Sequence, residues 1–335
     1  MLDTLKELCS LSAVSGDEKS VRDYIISKID GKADWHIDNL GNIIVFKKGK
    51  NKSCKKLMAD AHMDEVGLII SSVTDDGFLK FYTVGGIDTA VLMFRRVKIG
   101  NVNGVISGKP VHLLSGSEKK KLPQENSLYI DIGAADKAEA LGLVSLGDRA
   151  VICGDYAETE EKIKSKAIDD RAGCAILLAL LLEESEYDFY ATFTVQEEVG
   201  LRGAKTAAFS VAPDAAVVLE ATTAADIAEV DNAHRVCALG GGPTVSFMDR
   251  ATVYDRDYYN AALSSGIKCQ PKAAVAGGNN SGAVHLSRSG VRTLAISVPC
   301  RYIHSPSSVA DKSDIENAYL LARYMINGIC SGKIR

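Results

Sequence analysis

From Lys166 to the C-terminus the chain alternates short apolar runs with helical segments, and this alternation limits the fold more than any other feature. The reading is helix over 171–184, strand over 189–195, helix over 204–208 and strand over 215–219. It continues with helix over 254–265, strand over 272–276, helix over 282–289, strand over 293–298 and a closing helix over 311–330. The strands are continuous apolar runs, the pattern of strands covered by helices on both faces. An α/β fold follows.

The N-terminal part belongs to the same architecture. Leu2, Leu5, Leu8, Val21, Ile25 and Ile29 recur at helical spacing, so two short amphipathic helices are expected, broken at Ser15-Gly16. Strands are expected over 35–37, 42–47 and 56–61, followed by the apolar run 66–73. From Phe78 to about Val151 the texture changes. Short β-forming runs (78–84, 96–99, 102–107, 110–114, 127–132, 149–153) are punctuated by glycines, with one helix over 137–143. That is the signature of a small all-β module, a barrel or sandwich. At 335 residues the chain exceeds the roughly 250–300 at which one core stops growing. An α/β domain with an inserted β domain accounts for the surplus. The expected division is 1–65 plus 160–335 for the first and 66–159 for the insert.

Composition narrows the partners. Hydrophobic residues make up 46% and charged residues 24%, and Lys+Arg 39 against Asp+Glu 43 leaves a net charge of -4. That is a globular balance with no basic excess for nucleic acid or an anionic membrane, so neither partner is expected. The longest apolar run, 172–182, falls short of the roughly 20 residues that cross a bilayer. The amphipathic N-terminus does not read as a signal peptide. Eight cysteines are scattered without a CxxC pair, which suits free thiols in a reducing cytoplasm and argues against cysteine-bound zinc or a cysteine nucleophile. The lysine run Lys119-Lys120-Lys121 reads as a solvated loop tip.

Acids and histidines gather just beyond the apolar strands. His62 and Asp64 follow the strand 56–61, and a carboxylate behind a metal-binding histidine fixes its tautomer. Taken alone, the pair reads more readily as an ordinary strand-end histidine beside an acid. Asp169 and Asp170 precede the apolar helix. Helix capping explains one of them but not why two acids introduce so apolar a segment. Glu197 and Glu198 follow the strand 189–195, Glu220 ends the next strand, and His304 follows 293–298. The carboxyl ends of strands in an open α/β sheet are where ligand sites form. Two histidines with several carboxylates make a mixed nitrogen and oxygen set suited to zinc, cobalt or manganese. A carboxylate bridging two ions about 3.5–4 Å apart is the two-metal arrangement of aminopeptidases and phosphatases.

Together these motifs resemble the TET-type di-metal aminopeptidases, metallopeptidase family 42, whose members include glutamyl and deblocking aminopeptidases and also carry the names endoglucanase and cellulase M. The resemblance spans the whole chain: Ser12–Glu18, Asp38–Asn42, His62–Gly67, Gly85-Gly86, Gly104–His112, Ile130–Gly133, Asp169–Gly173, Glu197–Gly200 and Arg301–Pro306. It implies a three-layer α/β/α zinc-peptidase domain and an inserted barrel or PDZ-like oligomerisation domain. It makes Asp169 the bridging ligand of two divalent ions per subunit, zinc in the first instance, cobalt or manganese otherwise, with a cis peptide to Asp170. His62 and Glu220 would complete one metal site, and Glu198 and His304 the other. Glu197 would be the general base and Asp64 the partner behind His62. Peptides with a free N-terminus would be the substrates, in a homo-oligomer, commonly a tetrahedral dodecamer. The family often has aspartate where Glu220 and Asn280 stand. His36, His112, His234 and His285 are left to structural roles. The competing readings are an endoglucanase-type glycoside hydrolase built on Glu197 and Glu198, and a non-catalytic metal-binding scaffold.

Overall fold

The computed structural model describes residues 1–335 except Ala276. Its main sheet runs in the order Asp34–Ile37, Ile43–Lys47, Phe189–Thr194, Leu57–His62, Ala215–Thr223, Arg292–Arg301, Ser308–Asp311, Lys162–Ser165 and Ala157–Glu158. The four strands from Phe189–Thr194 to Arg292–Arg301 are mutually parallel, and the strands outside them pair antiparallel. Two short strands, Thr244–Val245 and Gln270–Pro271, branch from Arg292–Arg301.

Helices cover both faces. Ile168–Leu182 is apolar almost all round and is therefore sunk in the core. It packs on the sheet and against Leu2–Ser10, Lys19–Ile29 and Lys312–Cys330. The two N-terminal helices turn Leu5, Leu8 and Cys9, and Val21, Ile25 and Ile29, towards it. On the opposite face Arg202–Val211 and Ser281–Val284 bury Ala204, Ala208, Val211 and Val284 against Ile44, Met58 and Ala216. The result is three layers, helix, sheet and helix.

The β-rich segment closes into a barrel in the order Gly67–Val73, Leu79–Val84, Tyr129–Asp131, Val102–Ser107, Arg96–Ile99 and Arg149–Ile152. It has its own core, including Leu68, Ile70, Leu79, Val97, Ile106 and Ile130. Closure leaves no open strand edge. Among the described residues no helix is long and apolar enough to cross a membrane.

Three sequence expectations need correction. The run 110–114 is not a strand. Val102–Ser107 already has a neighbour on each side, so no ladder position remains, and the segment forms a short 3-10 turn, Val111–Leu113, with both end residues exposed. The strand expected over 272–276 is replaced by the earlier pair Gln270–Pro271; residues 272–275 form none, and Ala276 lies outside the described residues. Glu220 does not end its strand, which runs on to Thr223.

Where the chain leaves the sheet for the barrel, Glu65 is buried in a charged network. Both its oxygens lie 2.8 Å from Lys166 Nζ, and Oε1 accepts from Arg171 Nη2 at 3.1 Å and from the Ala13 N–H at 3.1 Å. Arg171, with no exposed side-chain surface, also donates to the carbonyls of Leu8 and Met63. It thus joins the first helix, the turn after His62 and the central helix. Arg171→Met should strand Glu65 and two carbonyls and cost about 3–5 kcal/mol, the usual result of breaking a buried ion pair from one side. Urea unfolding followed by circular dichroism would measure it; a loss under about 1 kcal/mol would mean that the network does not hold these elements together.

Candidate metal centre

The parallel strands set the site. Leu57–His62 lies between Phe189–Thr194 and Ala215–Thr223, with His62 in register with Thr194 and Glu220 in register with Ser297 on Arg292–Arg301. Four adjacent strands therefore bring His62, Glu197 and Glu198, Glu220, and His304 to one end of the sheet. Asp169 enters from below, at the start of the central helix.

The Asp169 carboxylate is shared between two imidazoles. Its Oδ1 is 3.1 Å from His62 Nε2 and its Oδ2 is 3.2 Å from His304 Nε2. His62 Nε2 is also 3.3 Å from Glu220 Oε1, and His304 Nε2 is 3.3 Å from Glu198 Oε2. The geometry thus brings together two sets, His62–Asp169–Glu220 and Asp169–Glu198–His304, whose ligand atoms lie within 4.8 Å of one another in each set. Glu197 stands just outside both, its Oε2 4.0 Å from His62 Nε2.

Each member is held from behind. His62 Nδ1 is 3.3 Å from Asp64 Oδ1 and 3.1 Å from the Asp64 carbonyl. Asp64 is itself fixed, accepting from the Glu197 N–H at 2.9 Å, the Glu198 N–H at 3.2 Å and the Ser15 hydroxyl at 2.6 Å. It lies two residues beyond the strand end, in irregular backbone. The Asp169–Asp170 peptide is cis, and the two aspartates divide their roles. Asp170 accepts from the Gly173 N–H at 2.9 Å and the His62 N–H at 3.2 Å, which makes it the helix-capping residue. Gly173 is required there, since a Cβ would lie 2.4 Å from the Asp170 carboxylate. His304 Nδ1 donates to the Gly86 carbonyl at 2.8 Å, a contact reaching across from the barrel.

Sequence reasoning missed several supports: Ser15 as the donor to Asp64, the pairing of Glu65 with Lys166, and the Gly86 carbonyl behind His304. None lies at a telling spacing from the residue it serves. Asn280 is also explained. Its Nδ2 donates to Asp60 Oδ2 and Thr194 Oγ1, both at 2.8 Å, so it is a buried structural contact. His36 and His112 are exposed, His234 pairs with Asp231, and His285 Nδ1 is bonded to the Ser281 carbonyl; none approaches the cluster.

Crowding shifts the titrations. Burial raises Glu198 to about 8 and Glu220 to about 7, with the Asp169 charge adding to both. Burial likewise pushes Glu197 well up, reinforced by Glu220, Glu198 and Asp169 against the opposing pull of His62. Burial opposes charge on His304, yet its hydrogen bond to Asp169 and the Glu198 charge hold it at about 10. Burial acts against ionised Asp169, but hydrogen bonds from both histidines keep it well below the usual carboxylate range. A site of this kind fits divalent cations. Its donors are carboxylate oxygens and imidazole nitrogens, and Glu220 Oε2 is buried with no hydrogen-bond partner among the described residues.

The model of the M42 glutamyl aminopeptidases matches residues 41–321. The chain belongs to that family and is a peptidase. A relative from Acetivibrio thermocellus, whose name marks it as a provisional aminopeptidase, is 40% identical over 337 residues, covering 98% of each chain. Among solved structures, an aminopeptidase from the archaeon Desulfurococcus kamchatkensis matches with a TM-score of 0.91 and 36% identity over 97% of this chain and 93% of its own. The TET1 peptidase of Pyrococcus horikoshii, described as assembling into a tetrahedron or a large octahedral shell, matches at 0.85 and 32% over 97% and 98%. A structure from Thermotoga maritima titled endoglucanase matches at 0.82 and 35% over 99% of each chain.

Stability without metal should follow the raised pKa values. Glu198, Glu220 and His304 all bind protons more tightly folded than unfolded, so stability is greatest below their ordinary values and falls as pH rises, from about 4.5 towards 8 for the two glutamates and on towards about 10 for His304. The chelator-treated protein should melt lower at about pH 8 than at about pH 5.5, and cations should raise the melting temperature more at the higher pH. Equal metal-induced shifts at the two values, by scanning calorimetry, would contradict this assignment.

Proposed function

We propose that the chain hydrolyses the N-terminal residue from peptides at a two-metal centre. The observation that carries this is the division of Asp169 between two ligand sets, one oxygen facing His62 and Glu220 and the other facing His304 and Glu198. His62, Asp169 and Glu220 would hold one cation, and Asp169, Glu198 and His304 the other. Zinc suits the mixed donors, with cobalt or manganese as alternatives. Bound there, two divalent cations supply Lewis acidity and a water whose pKa falls from 15.7 towards about 7. Glu220 Oε1 also accepts from the Ala221 N–H at 3.1 Å, which leaves Oε2 as its free ligand oxygen.

The chain's own residues handle the proton. Glu197 is close to both sets without belonging to either, and burial among acids raises its proton affinity. It takes a proton from the attacking water and delivers it to the leaving amine, the work of a general base and then a general acid. Asp64 keeps the His62 proton on Nδ1, and the Gly86 carbonyl does the same for His304. In each case Nε2 is left as the nitrogen that would bind a cation.

Residues 1–65 with 160–335 serve in this reading as the catalytic domain, and 66–159 as an insert for assembly. We extend to this chain the assembly described for the TET1 peptidase of Pyrococcus horikoshii, in the form of a tetrahedral homo-dodecamer. A glycosidase reading has the name of the Thermotoga structure in its favour. Such enzymes place two carboxyl groups on opposite sides of the scissile bond, roughly 5–9.5 Å apart. That scheme has no use for His62, His304 and Asp169, which here converge on the same point.

Glu197→Gln should still bind two equivalents of metal while kcat falls by roughly 10²–10⁴ on an aminoacyl-p-nitroanilide. Near-normal turnover by that variant would remove Glu197 from the mechanism. Chelator-insensitive release of reducing sugar by the pure protein would favour the glycosidase instead.

A further inference from the structure

Glu18 takes no part in the chemistry described above, yet it is a carboxylate only 4% exposed. It stands at the N-cap of the helix Lys19–Ile29, where a side-chain acceptor ordinarily bonds the first N–H groups of its own helix. Glu18 makes no such bond. Its Oε1 turns instead to two N–H groups outside the helix, accepting from Gly16 at 2.6 Å and from Gln196 at 3.2 Å. Gln196 is 178 residues further along the chain and immediately precedes Glu197.

The backbone at that point needs holding. Gln196 has φ 55°, a left-handed conformation that costs a residue with a side chain and persists only where its surroundings enforce it. Its carbonyl accepts from the Arg202 N–H at 3.2 Å, and its N–H is the one that Glu18 binds. The next two N–H groups, of Glu197 and Glu198, go to Asp64. Two carboxylates thus bind three successive N–H groups. The turn that carries Glu18 is anchored in its own right. The Ser15 N–H donates to the Glu65 carbonyl at 3.3 Å, and Arg149 Nε, from the barrel, donates to the Ser15 carbonyl at 3.3 Å.

We propose that Glu18 is a positioning residue for the general base: by holding the Gln196 N–H it fixes the left-handed turn that aims the Glu197 carboxylate. The proposal rests on the assignment of Glu197 as the base and adds the residue that keeps it in place. The Glu197 carboxylate lies 4.0 Å from His62 Nε2, beyond hydrogen-bond reach, so its aim depends on the backbone that carries it. Asp64 cannot do this alone, because it fixes the N–H groups of Glu197 and Glu198 but not the strained residue before them. Both bonds of Glu18 go to the same oxygen, and an amide keeps that acceptor.

The test measures kcat, KM and bound metal for Glu18→Leu, Glu18→Gln and Glu197→Gln, and for Glu18→Leu combined with Glu197→Gln, on the best of a set of aminoacyl-p-nitroanilides. Glu18→Leu should lower kcat roughly 10–100-fold, the cost of misplacing a catalytic group by about 1 Å. KM should change little, and two equivalents of metal should remain bound. Glu18→Gln should recover most of the rate. Added to Glu197→Gln, Glu18→Leu should cost less than about twofold more, since no carboxylate is left to aim. If Glu18→Leu folds poorly, as its melting temperature would show, Glu18→Asp, one methylene shorter and still charged, replaces it with the same expectation. Full kcat in Glu18→Leu, or an equal loss with and without Glu197→Gln, overturns the proposal and leaves Glu18 a structural contact. Loss of a metal equivalent also overturns it, because the turn would then be serving Glu198. Near-normal turnover by Glu197→Gln defeats the assignment of the base, and this proposal with it; a slow Glu197→Gln beside a fully active Glu18→Leu defeats only the latter.

Discussion

Four carboxylates and two imidazoles share one end of the sheet, nearly all of them out of solvent. Like charges so placed repel one another and lose hydration, and the molecule around them is arranged to hold them in that position regardless. Asp169 is the pivot, because it alone touches both histidines. Its position depends on the helix start, where Asp170 caps the first turn and binds the His62 N–H, so the strand and helix that carry the ligands are locked together. Behind them the Glu65–Lys166–Arg171 network places two cations under a patch that is otherwise acidic.

The barrel reaches into this arrangement and is not only an appendage. Gly86 supplies the carbonyl that orients His304, and Gly85 at φ 85° lets the turn pass where a Cβ would lie 2.8 Å from Val66 and 3.2 Å from Glu198. A left-handed turn packed that closely admits only glycine. The second ligand set is therefore completed by a contact between the sheet and the barrel.

Much of this was legible in the primary structure, and the reason is geometric. A parallel sheet aligns its strand ends, so acids and histidines that follow successive apolar runs arrive at the same place whatever their separation in sequence. His62, Asp64, Glu197, Glu198 and His304 announce themselves in that way. Asp169 announces itself because two acids precede a helix that has to be buried. Glu220 was visible as an acid at the end of an apolar run, although its strand continues three residues further. The supports were not legible. His304 and Gly86 are 218 residues apart, and Asn280 and Asp60 are 220 apart. A backbone carbonyl carries no residue-type signal, and a buried amide looks like any loop asparagine. The run 110–114 misled because its composition suits a strand while the barrel has no free edge to receive it.

The amino-acid sequence by itself determined the α/β alternation, the separate β-rich module and the candidate side chains for binding cations. Periodicity and residue chemistry are local properties that survive without coordinates. Only the tertiary structure decided which oxygen of Asp169 faces which histidine, that Asp170 caps the helix while Asp169 does not, and that Asn280 is a structural contact. Those outcomes depend on distances between segments far apart in the chain. Such distances are set by strand register and helix packing, which no short-range pattern encodes.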